Sequence, residues 1–81
     1  MELKDTVDMM LSENYQDRFI AELRQLEIRM AKLGRIIAEY DADMLDFTPD
    51  CPISLLKKQL KAMEAYRSAL VLRAYEERIG I

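Results

Sequence analysis

The chain has 81 residues, 51% of them hydrophobic, with a net charge of -3, so it is one domain at most and too short to bury much surface without associating. The near balance of charge argues against a nonspecific nucleic-acid binder, and no specific DNA or RNA is expected. There is no histidine and Cys51 is the only cysteine, which excludes an intrachain disulfide, a conventional zinc site and a triad-type nucleophile with its base.

No run of roughly 18 apolar residues is available to span a bilayer, so no membrane partner is expected. The acidic start MELKDTVDMML lacks the basic and then apolar pattern of a signal peptide. A soluble protein of the cytoplasm is the expectation. Many Ala, Leu, Glu, Lys, Arg and Met and few Gly or Pro predict an all-α fold.

Residues 3–11 read as a short helix capped by Asp5, with Asp8 three residues on and Leu3, Val7, Met10 and Leu11 as its apolar face. It is too short to stand alone and is expected to dock on the longer helices or on a neighbouring subunit, with Met9 and Met10 as adaptable filler. Ser12 to Asn14 is the break, and Ser12 or Asn14 can cap the second helix.

That second helix is predicted over 15–40. Phe19, Leu23, Leu26, Met30, Leu33, Ile37 and Tyr40 are spaced 4, 3, 4, 3, 4, 3, the heptad rhythm that keeps one seam of a helix against a partner. Gly34 lies inside it, either tolerated or allowing another backbone to come close, at a cost of about 1 kcal/mol against alanine. The acidic connector 41–51 holds Pro49, and its Met44, Leu45 and Phe47 are expected to plug the end of the bundle.

A third helix is predicted over 52–78, with Pro52 in its first turn and Asp50 or Cys51 as the cap. At 1.5 Å per residue both long helices span roughly 40 Å, so they form an antiparallel hairpin with Tyr40 near Ile53 and Phe19 near Ala74. The third seam is Leu56, Leu60, Met63, Arg67, Leu70 and Ala74. Arg67 interrupts it. Either its stem lies along the seam while its head reaches Glu27 or Glu22, or it selects a partner or contacts an anion.

Charge is unevenly placed. Residues 1–17 and 41–50 together carry -8, whereas 18–40 carry +2 and 51–81 carry +3. The helical bodies are cationic and the connecting pieces acidic, which points first to loop acids that neutralise Lys57, Lys58 and Lys61. Beside the third seam runs a stripe of Leu55, Gln59, Ala62, Tyr66, Ala69 and Arg73; beside the second runs Arg18, Glu22, Gln25, Arg29, Lys32 and Ile36. These stripes suit a polar subunit interface, or an anion pocket in which Arg grips phosphate and Tyr stacks on a base. Ile20, Ile28, Ile36, Leu55, Val71, Leu72 and Ile79 fall off the seams, and a homo-oligomer is expected to cover them.

The segment LLKKQLKAMEAYRSALVLRAYEERIGI, Leu55 to Ile81, with its pattern LLxxQxxAMxxYxxxLxxR, resembles the C-terminal helix of a family of small helical phage and prophage proteins named after a crAss-like phage protein. YQDRFIAEL, Tyr15 to Leu23, and LDFTPDCP, Leu45 to Pro52, extend the resemblance over most of the chain. It implies a helical hairpin and a phage accessory protein, in a family with no established activity; Arg67 falls at a position the pattern leaves open.

Three functions compete. The first is a phage counter-defence protein that sequesters a small anionic nucleotide-derived immune signal, with Arg18, Gln59, Tyr66, Arg67 and Arg73 as the ligand-binding residues, no catalytic residue, no metal and no cofactor. The second is a helical module that binds a host or phage protein. The third is nucleotide hydrolysis, which lacks both a carboxylate cluster with metal-ligand spacing and a Gly-rich phosphate loop.

Overall fold

A computed structural model describes residues 2–81. A 3-10 turn, Leu3–Thr6, runs directly into the single-turn helix α1, Val7–Met10; the long helices α2, Tyr15–Asp41, and α3, Ile53–Glu76, complete the chain. Among the described residues there is no strand. The cross-helix pairs Tyr15 with Glu77, Glu22 with Tyr66, Glu27 with Arg67 and Asp41 with Lys57 show one helix ascending as the other descends. The all-α antiparallel hairpin is therefore as expected, and the molecule measures 43 × 25 × 17 Å along its principal axes.

The N-terminal segment departs from the expected helix in a way that changes its buried face. Glu2, not Asp5, is the N-cap: its backbone N–H donates to Asp5 Oδ2 at 2.8 Å, and its carbonyl accepts from the Asp5 N–H at 3.0 Å. A 3-10 start has three residues per turn, so Leu3, Thr6 and Met9 line up instead of Leu3, Val7 and Met10. Thr6 is completely buried, Leu3 and Met9 are half-buried, and Val7, Met10 and Leu11 face outward. The Thr6 hydroxyl donates to the Leu3 carbonyl at 2.7 Å and accepts from Gln25 Nε2 at 2.9 Å, so a polar pair anchors this segment to α2.

Asn14 caps α2, its side chain accepting from the Gln16 N–H at 2.8 Å. Ser12 holds the break open: its hydroxyl accepts from the Asn14 N–H and donates to Asp17. At the other end, the N–H of Met44 reaches the Glu39 carbonyl and that of Asp43 reaches the Tyr40 carbonyl. Asp43 takes φ 61° there, which makes a Schellman motif. The end of α3 repeats it with Ile79 to Ala74 and Arg78 to Tyr75, Arg78 taking φ 57°. Neither position holds glycine, the usual residue for this conformation.

Phe19, Leu23, Leu70, Ala74 and Ile79 form the buried core, with Ile20, Leu26 and Val71 packed against it. Phe19 thus meets Ala74, as expected. Ile79, expected to need a partner subunit, is instead folded back by the C-terminal motif. The remaining seam positions are half-buried, except for buried Ile37 and exposed Tyr40, so the seam is not buried throughout. Two helices cover each other only along one line, and full burial needs a third layer. Gly34 is tolerated rather than required: a Cβ there would lie 4.0 Å from Leu60 Cδ2, an ordinary contact.

The connector differs from expectation. Met44 and Phe47 point outward and plug nothing, while Leu45 is half-buried. Pro52 is the N-cap of α3 rather than its first residue, and no side chain of Asp50 or Cys51 caps the helix. The Pro52 carbonyl accepts from the Leu55 N–H at 3.0 Å, which starts the helical ladder. Of the basic trio, Lys57 pairs with Asp41 at 3.1 Å, while Lys58 and Lys61 make no ion pair among the described residues. Among those residues no helix is long and apolar enough to cross a membrane.

Candidate functional site

A groove of about 560 Å³ opens towards the end of the hairpin where α2 begins and α3 ends. Its α2 wall is Tyr15, Arg18, Phe19, Glu22, Gln25, Leu26 and Arg29, a set whose 3 and 4 spacing puts one face of a helix on display. From α3 come Tyr66 and Arg73, seven residues apart and so on one face, and Met10 of the N-terminal segment closes the edge. Three arginines against Glu22 leave the lining cationic.

Arg73 is held by several contacts at once. Its guanidinium carbon lies 5.1 Å from the centre of the Phe19 ring, a cation–π distance. Nη2 donates to the Tyr15 hydroxyl at 2.9 Å and Nε donates to Glu77 Oε2 at 3.2 Å. Tyr15 in turn donates to Glu77 Oε1 at 2.8 Å, closing a three-membered ring of hydrogen bonds. The Tyr15 and Phe19 rings sit 6.2 Å apart, tilted by 55°. Glu77 accepting from both partners raises the pKa of the Tyr15 phenol and of the Arg73 guanidinium, so one stays neutral and the other charged.

Tyr66 donates to Glu22 across the groove, and that carboxylate raises the pKa of the phenol in the same way. Arg18 donates from Nη1 to the Ser12 carbonyl at 2.9 Å, which steadies it at the mouth. The site therefore offers two neutral phenols and exposed cations within one concavity.

Of the residues expected to bind a ligand, Arg18, Tyr66 and Arg73 line this groove, whereas Gln59 and Arg67 do not. Gln59 lies exposed one heptad along α3 from Tyr66. Arg67 donates from Nε and Nη2 to Glu27 Oε2, each at 2.9 Å, while Arg24 donates to Glu27 Oε1 at 2.6 Å. Partial burial pushes the Glu27 pKa up, but the hydrogen bonds from Arg24 and Arg67 outweigh it and leave it below the ordinary value of 4.5. This triad agrees with the snorkelling reading of Arg67.

A second concavity of about 370 Å³ is lined by Glu2, Arg24, Glu27, Ile28, Ala31, Lys32 and Arg35. Two of its cations already have carboxylate partners, Arg24 with Glu27 and Lys32 with Glu2 at 3.8 Å. Sequence reasoning misses Tyr15 and Phe19 in the main groove, and Glu77, which holds Arg73 from outside its lining. In the sequence Phe19 belongs to the seam and Tyr15 marks only a helix start. Their signal is the i,i+4 pairs Tyr15–Phe19 and Arg73–Glu77, which antiparallel pairing places side by side.

Among known proteins, a family model described as Sequestin matches residues 13–76, that is, α2, the connector and α3 without the N-terminal segment or the last turn. No curated protein and no solved structure matches the chain.

Proposed function

The chain belongs to the Sequestin family, and on that premise we propose that it is a phage accessory protein that binds and sequesters a nucleotide-derived immune signalling molecule without altering it. The name of the family denotes sequestration, and the phage origin rests on the resemblance carried by Tyr15 to Leu23 and Leu45 to Ile81. The observation that carries the reading is the groove itself. Arg18, Arg29 and Arg73 supply charge for phosphate, while Tyr15 and Tyr66 supply flat faces for a base. Glu22 can accept from a base amine or a ribose hydroxyl.

In this reading the protein acts as a homo-oligomer in the host cytoplasm. Leu55, Leu72 and Tyr75, all more than half exposed on α3, give self-association an apolar surface to cover. The same surface supports the second reading, a helical module that pairs with a host or phage protein.

The test is to incubate the purified protein with cyclic and linear nucleotides, wash it, denature it with heat and identify what is released. Intact nucleotide is expected. Altered nucleotide would replace sequestration by catalysis, and recovery of none would favour the protein-binding module. Light scattering at micromolar concentration checks the assembly, and a monomer there removes the oligomer from the reading.

A further inference from the structure

Arg73 does not stand free in the groove: the chain supplies it with an anion of its own. Glu77 Oε2 takes the Nε hydrogen at 3.2 Å, and Glu77 Oε1 holds the Tyr15 hydroxyl that accepts from Nη2. An incoming oxyanion that uses the Nε–Nη2 side of the Arg73 fork must therefore displace a carboxylate already seated on it. Glu77 sits one turn past Arg73, is exposed, and can swing to solvent without moving backbone, because its place as helix C-cap depends on its N–H donating to the Arg73 carbonyl at 2.8 Å. It lies one residue beyond the family match, which ends at 76.

We propose that Glu77 is an internal competitor for the groove, a carboxylate that occupies Arg73 and Tyr15 in the empty protein and is exchanged for the anionic group of a ligand. The proposal rests on the reading of this groove as an anion site. Its effect is selective: on the Nε–Nη2 side of Arg73 a ligand gains only the difference between its own oxyanion and the carboxylate it displaces, so weak anions are disfavoured there. Contact with Arg18 or Arg29 must supply the rest.

The probe is inorganic phosphate, titrated at about 0.1 M salt, where charges beyond roughly 10 Å are screened. The binding is followed by nuclear magnetic resonance on the side-chain Nε–H of Arg73. The variants are Glu77→Gln, which keeps the acceptor and removes the charge, Glu77→Ala, which removes both, and Arg73→Ala. Glu76→Gln is the control, since Glu76 is exposed, carries the same charge and makes no ion pair among the described residues. A solvent-exposed pair competes modestly, so Glu77→Gln and Glu77→Ala are expected to bind phosphate about two- to fivefold more tightly, with the Arg73 resonance moving, while Glu76→Gln matches the parent. Equal affinity in the Glu77 variants and the parent overturns the proposal. So does equal tightening in Glu76→Gln, which marks a general charge effect. Loss of binding in Arg73→Ala without any gain at Glu77 removes the competitor and leaves the groove; binding that survives Arg73→Ala removes both.

Discussion

The two ends of the hairpin carry the same heptad rhythm and meet different fates. At the terminal end Phe19, Leu23, Leu70 and Ala74 are buried, because Ile79 folds back in the Schellman motif and the N-terminal segment docks through Thr6 and Gln25. At the connector end Tyr40, Phe47 and Leu55 remain exposed, with Ile37 the one buried apolar side chain. The seam alone only half-covers a side chain, and what completes a core is the third element laid over it. The groove lies at the completed end, where rigid packing can hold Arg73 over Phe19.

The largest expected effect tests that contrast directly. Leu23→Ala should cost about 2–5 kcal/mol in urea unfolding, as for other buried leucines. Leu55→Ala, at 54% exposure, should cost less than about 0.5 kcal/mol at low protein concentration. If self-association covers the connector end, the Leu55→Ala loss grows as concentration rises. Equal losses at every concentration would break the comparison.

Function should track the completed end. Arg73→Ala is expected to weaken nucleotide binding by about ten- to a hundredfold with helicity unchanged, because charge-assisted hydrogen bonds are the strong ones. Tyr66→Ala should weaken binding similarly through lost stacking; if it instead dissociates the oligomer, Tyr66 belongs to an interface. Affinity and molecular mass measured on the same samples separate the outcomes. An Arg73 variant that binds normally would move the site toward Arg29 and Arg67.

Between the ends, the triad of Arg24, Glu27 and Arg67 sharpens the comparison through pH. The Glu27 pKa is lowered in the folded chain, so the unfolded chain takes up the proton first. Its contribution is complete above the ordinary value of 4.5 and is lost as pH falls through the lower folded value. Thermal unfolding of Arg67→Met should therefore show a shallower acid loss below that value than the parent. At neutral pH the partly exposed pair should be worth less than about 1 kcal/mol.

The smallest effect compares the two helix ends as backbone. Both Asp43 and Arg78 hold positive φ. Glycine removes the Cβ conflict there but adds chain entropy, so Arg78→Gly should gain about 0.5 kcal/mol in thermal unfolding. Asp43→Gly should gain less, because aspartate tolerates this conformation. A loss at Arg78 would show that its side chain matters to the closed terminal end.

The sequence by itself determined the elements that depend on local spacing. Heptad positions from Phe19 to Ile37 and from Leu56 to Ala74, the break at Ser12 to Asn14 and the prolines of the connector placed both long helices to within about two residues. They also implied the antiparallel register that pairs Glu27 with Arg67 and puts Arg18, Tyr66 and Arg73 on one groove. Only tertiary structure decided the rest. Whether Thr6 or Val7 faces inward depended on a 3-10 turn that shifts the phase of a short segment. Whether Ile79 is buried depended on Arg78 taking a left-handed conformation that composition does not favour. The occupation of Arg73 by Tyr15 and Glu77 depended on residues 58 and 4 positions away meeting at one helix end. Periodicity reports which face of a helix is apolar, but not which third element covers that face, because that cover comes from distant, weakly patterned residues.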